Sequence, residues 1–172
     1  MMTTRSAATC NVQNQLLRTY LLDHLTGGDT ALQVLRDFEQ QEARRTNSEL
    51  AQRLLPEIEH DREVLRRLLQ EVGGTTNAFR RFISWLSGKM SGLKFWWRLS
   101  KELGPFEGLE VLSLGILGKR ALWRTLQRLQ SDAGVFPNQD FDSLIQRAES
   151  QYTLVENGRM QAVPHTFLCR PS

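Results

Sequence analysis

The stretch LLPEIEHDREVL, Leu54 to Leu65, decides how the rest of the chain is read. It contains Glu57-Ile58-Glu59-His60, a Glu-x-x-His spelling. On a helix that spacing sets a carboxylate and an imidazole one turn apart, the geometry helical bundles use to hold paired metal ions. Helical phase, at about 100° per residue, tests the spelling. Leu54, Leu65, Leu68 and Val72 define one apolar face. Asp61 falls near the centre of that face and Glu57 at its edge, while His60 points a quarter-turn or more away. The inward acidic pair is therefore Glu57 and Asp61, spaced i, i+4.

The same period runs outward in both directions. Leu50, Leu54, Ile58, Asp61, Leu65, Leu68 and Val72 form the seam of a helix over residues 48–72, with Thr46, Asn47 and Ser48 as turn and N-cap and Gly73-Gly74 as its stop. Upstream, Leu17, Tyr20, His24, Gly27, Ala31, Val34 and Phe38 step by three and four, predicting a helix over 12–44. Gly27-Gly28 does not break the phase, so the pair is expected to admit a close helix–helix approach, with a kink as the alternative. Downstream, Phe79, Ile83, Leu86, Met90, Leu93 and Trp97 predict a third helix over 77–99. Gly104-Pro105 opens a fourth, to residue 131, and Asn138 or Asp140 opens a shorter fifth, to residue 158. Strand-like alternation is absent, and the chain reads as all-α: one domain over 1–172, four long antiparallel helices with a shorter fifth packed across them and irregular termini.

In the fourth helix Leu109, Leu112, Ile116 and Trp123 line one face while Leu114, Leu117 and Ala121 line the opposite one. A helix apolar most of the way round is expected to be central and buried. Gly108, Gly115 and Gly118 would let a neighbouring backbone come close.

The chain has 172 residues, 40% of them hydrophobic, enough for one domain with a real core. A formal net charge of +3 falls short of a dedicated nucleic-acid binder. Cys10 and Cys169 lie near opposite ends and form neither a disulfide framework nor a zinc pattern. Residues 1–11 lack the apolar run of a signal peptide, and no apolar run reaches the ~20 residues of a membrane span. A cytoplasmic protein is expected.

Three stretches, YLLDHLTGG (20–28), LLPEIEHDREVLRRLL (54–69) and LEVLSLGILGKRALWRTL (109–126), resemble the ferritin-like superfamily of helical bundles, in particular its small bacterial branches. Together with the helix count, the likeness covers most of residues 12–160. It implies an antiparallel four-helix bundle. Active members take one Glu from each of two helices and a Glu-x-x-His from each of the other two, all pointing inward. Glu57 and His60 match one such pair. The first helix offers Asp23 and His24 where a Glu is expected, the third carries no acid, and three residues beyond Glu107 and Glu110 stand Glu110 and Ser113. The resemblance thus implies the fold without a complete di-iron site.

Phase leaves an inner polar set of His24, Glu57, Asp61, Glu110 and Lys119. Buried charges need partners or a metal. One reading is an ion-pair lock in which Lys119 and His24 answer Asp61 and Glu57, in a structural or interaction protein. The other is an iron or manganese ion on His24, Glu57, Asp61 and Glu110, in a stress-related or redox protein. Register counts against the second, because it sets His24 level with Leu68 rather than Asp61. The third helix carries Arg80, Arg81, Lys89, Lys94 and Arg98 among Phe79, Phe82, Trp85, Phe95, Trp96 and Trp97. A solvated basic face over an aromatic core stripe is favoured over nucleic-acid or membrane-surface contact. The surplus aromatics suggest a homodimer surface.

Overall fold

The computed structural model describes residues 12–40, 45–73 and 103–168. Four helices occupy them: α1 (Asn14–Glu39), α2 (Arg45–Glu71), α3 (Gly104–Ala133) and α4 (Phe141–Phe167). No strand occurs among the described residues. The expected third helix, with its basic charges and the dimer surface built on it, lies outside them, as do Cys10 and Cys169. The expected fourth and fifth helices are α3 and α4.

Each helix buries one stripe. On α2 it is Leu50, Ala51, Leu54, Ile58, Asp61, Val64, Leu65, Leu68 and Leu69, the phase expected from sequence. Pro56 sits inside α2 but is exposed, so the Gln52 carbonyl that loses a helical donor faces water. On α1 the expected Leu17, Val34 and Phe38 are buried, but between them the stripe shifts by about one residue from expectation. Leu21, Leu25, Leu32 and Leu35 are fully or nearly buried, Tyr20, His24 and Ala31 are half-buried, and Gly27 is exposed. Four leucines bury more apolar area than the flank of small and polar residues, and they set the rotation.

The ends follow local chemistry. Gly73 (φ 77°) and Gly134 (φ 67°) adopt the left-handed conformation that closes α2 and α3. At the start of α4, Asp140 Oδ1 accepts from the Ser143 backbone N–H at 3.0 Å. Ser48 does not cap α2, which already begins at Arg45. The C-terminal helix is not short: it has 27 residues, passes Gly158 and Pro164, and packs along the bundle on Phe141, Leu144, Ile145, Ala148 and Val155.

Polar pairs between helices give the topology. Arg62–Asp29 (2.5 Å) and Arg18 Nη1 to the Gly73 carbonyl (3.3 Å) make α1 and α2 antiparallel. Gln127–Asp142 (2.7 Å) and Arg159–Glu110 (3.5 Å) do the same for α3 and α4, and Glu57–Gln151 (2.9 Å) with Asp61–Arg147 (3.1 Å) for α2 and α4. Tyr20 on α1 meets Thr125 on α3 at 3.4 Å. Two antiparallel hairpins, α1/α2 and α3/α4, therefore stand side by side. It follows that α2 and α3 run parallel and face each other across the bundle axis. The expectation of a bundle built on the first four predicted helices is corrected in this respect: the C-terminal helix is a full member.

Two further expectations are corrected. Leu114 is 69% exposed and Ala121 is exposed, so α3 is buried on one side only among the described residues. Gly27, Gly115 and Gly118 support no close approach, because a Cβ built on any of them meets nothing within 4 Å among the described residues.

Candidate functional site

The polar residues inside the bundle gather around Asp61, which is 2% exposed. Its place follows from the α2 stripe, whose centre it occupies between Ile58 and Leu65. Lys119 reaches it from α3, with Nζ 2.5 Å from Asp61 Oδ2. The same ammonium donates to Gln151 Oε1 of α4, also at 2.5 Å. Gln151 Nε2 donates in turn to Glu57 Oε2 at 2.9 Å and to Asp61 Oδ2 at 3.4 Å. Arg147, one turn before Gln151, brings Nη1 to 3.1 Å from Asp61 Oδ1, close enough for an ion pair but not aligned as a hydrogen bond. Three helices are thus tied through one carboxylate, and the carboxylates Glu57 and Asp61 stand opposite the cations Lys119 and Arg147.

Burial is the dominant influence on Lys119 and pulls its pKa below the ordinary lysine value, with Asp61 pulling the other way. Bringing the two charges out of water costs hydration that offsets part of their mutual attraction.

His24 lies outside this hydrogen-bonded group. Interpolating between the Asp29–Arg62 and Arg18–Gly73 pairs sets it level with Arg67 and Leu68. Its ring packs edge-on against Tyr20, with centroids 4.7 Å apart. Burial holds its pKa below the usual imidazole value, against the opposing influence of Asp23. Glu110 is exposed and pairs with Arg159 at 3.5 Å. His60 is exposed as well, so Glu57 and His60 do not share an inner face.

Glu57 and Asp61 come together, whereas Glu110 is at the surface and His24 is a turn or more away. Among the described residues no group of three or more His, Cys, Asp or Glu is placed to hold a metal ion. The donor chemistry points the same way: Asp61 Oδ2 is taken by Lys119 and Oδ1 faces Arg147, so cations of the chain itself occupy the space near both oxygens.

Gln151 and Arg147 are the members that sequence reasoning missed. The signal was available in the spacing Phe141, Leu144, Ala148, Gln151, Val155, which places Gln151 on the core stripe within the helix already expected over these residues. No described helix is long and apolar enough to cross a membrane. Comparison of the chain with protein-family models, with curated proteins and with solved structures yields no match.

Proposed function

We propose that this chain is a ferritin-like bundle that acts as a structural or interaction protein, with an internal ion-pair lock where active relatives of that fold hold metal. The observation that carries the reading is the Lys119 ammonium bridging Asp61 and Gln151 at 2.5 Å each. A lysine there supplies the positive charge that a cation would otherwise bring to an inward carboxylate. The ferritin-like assignment draws support from the topology of the described helices: two antiparallel hairpins, α1/α2 and α3/α4, whose middle helices α2 and α3 run parallel, as in ferritin-like bundles.

The test is metal analysis of protein purified without chelator, paired with the same measurement on Asp61→Ala. The lock reading expects no stoichiometric iron or manganese in either protein and a lower thermal midpoint in the variant. Stoichiometric metal that disappears with Asp61 would establish the metal-dependent alternative instead.

A further inference from the structure

The outward face of α3 carries a pattern that the internal lock does not use. Two acids, Glu107 and Glu110, are followed by Leu114, Leu117 and Ala121, and these by two arginines, Arg124 and Arg128. The positions succeed one another at steps of three and four without a slip. That spacing keeps them on one stripe, the kind of seam on which two helices pair. The stripe lies opposite the buried face of Leu109, Leu112, Ile116, Trp123 and Leu126. Leu114 is 69% exposed, Glu110, Ala121, Arg124 and Arg128 are exposed, and Glu107 and Leu117 are half-buried.

A single exposed leucine is ordinary on a protein surface. Here the apolar positions are consecutive on one seam and framed by opposite charges at its two ends. The helix dipole accounts for acids early and bases late in a helix, but not for the apolar block left bare between them. The framing charges are free to change partner. Glu110 pairs with Arg159 at 3.5 Å, Arg124 with Glu149 at 3.1 Å and Arg128 with Asp132 at 2.6 Å, all at the surface. Exposed pairs of this kind hold weakly.

The order of the three blocks selects the occupant. Two copies of this stripe laid parallel would set acid on acid and arginine on arginine. Turned end for end, they set Glu107 and Glu110 opposite Arg124 and Arg128 at both ends, and the apolar blocks meet in the middle. A two-fold axis across α3 near Leu117 produces that arrangement, and a two-fold interface requires one patch to complement itself. We propose that the outer stripe of α3 is a docking surface for a second copy of this chain, held antiparallel. From Glu107 to Arg128 the seam runs about 32 Å at 1.5 Å per residue. A contact one helix wide falls at the small end of interface sizes, below about 1,200 Å², so the dimer is a reversible one. The proposal uses neither Asp61 nor Lys119 and stands apart from the lock.

The experiment is sedimentation equilibrium of the full chain from ~1 µM to ~500 µM, with circular dichroism to check that each variant keeps its helices. The parent protein should pass from monomer to dimer across that range, less readily at high salt. Leu114→Glu, at a position exposed in the monomer, should weaken association about tenfold or more. Two charge-reversed variants test the orientation: Glu107→Arg with Glu110→Arg, and Arg124→Glu with Arg128→Glu. Each alone should be more monomeric than the parent, and an equimolar mixture of the two should dimerise again. Loss of fold in one variant would not produce that recovery. The proposal is overturned by a parent protein that stays monomeric throughout, by Leu114→Glu dimerising as the parent does, or by a mixture no more dimeric than its folded components.

Discussion

Lys119 on α3 lies 2.5 Å from Asp61 on α2, two helices that run parallel on opposite sides of the bundle axis. The pair is unequal in what each partner leaves behind. Asp61 answers two cations, Lys119 and Arg147, whereas Lys119 answers a carboxylate that keeps Arg147 and Gln151 when the lysine is gone.

That asymmetry predicts the order of two substitutions. Asp61→Ala should cost about 3–5 kcal/mol, because it strands a buried ammonium. Lys119→Met, which keeps the stem volume, should cost clearly less. Urea unfolding of both variants gives the comparison, and equal losses would show that Arg147 does not support Asp61.

The buried lysine also predicts a pH dependence. Its folded pKa lies below that of a lysine in the unfolded chain, about 10.4. Between the two values the unfolded chain binds a proton that the folded chain does not, so this residue makes stability rise with pH through that window. Below the folded pKa the cost of the buried charge is present in full. The stability of the parent protein relative to Lys119→Met should therefore increase with pH in the range just below the unfolded value. A decrease would mean that the Asp61 carboxylate outweighs burial.

His24 is expected to act at the acid end. Its folded pKa lies below 6.5, so the unfolded chain takes up a proton first as pH falls. The stability attached to a neutral His24 is present above 6.5 and is lost as pH drops toward the folded value. His24→Phe should flatten the decline of stability as pH falls below 6.5. An NMR titration placing His24 at or above 6.5 would remove the basis for this effect.

Gly27 gives a prediction opposite in sign to the one its sequence context suggests. In a tight helix–helix contact, Gly27→Ala would clash. Here the added methyl meets open space within a helix interior, and the change should stabilise by roughly 0.5–1 kcal/mol. A lower thermal midpoint would restore the close-approach reading.

How much of this was legible follows from particular residues. Asp61 could be found because eight apolar neighbours on α2 fix the phase around it. Lys119 could be found because Ile116 and Trp123 bracket it on α3. The shift in the middle of α1 was missed because Tyr20, His24 and Ala31 keep the same period as the leucines, and period alone does not say which of two adjacent stripes faces inward. Leu114 was placed inside because composition counts apolar residues without saying whether a neighbour covers them. Gln151 and Arg147 were missed because the sequence reads the last helix as a short element lying across the bundle, which leaves its inward stripe unmatched to α2, whereas it is 27 residues long and packs along the bundle.

The most direct test of the lock is a double-mutant cycle on Asp61 and Lys119, using Asp61→Leu and Lys119→Met, in protein treated with chelator. Removing both charges should cost much less than the sum of the single changes, with a coupling of about 1.5 kcal/mol or more, and stability should not change when iron or manganese is added back. Additive losses, together with stabilisation of the parent protein by either metal, would contradict the account.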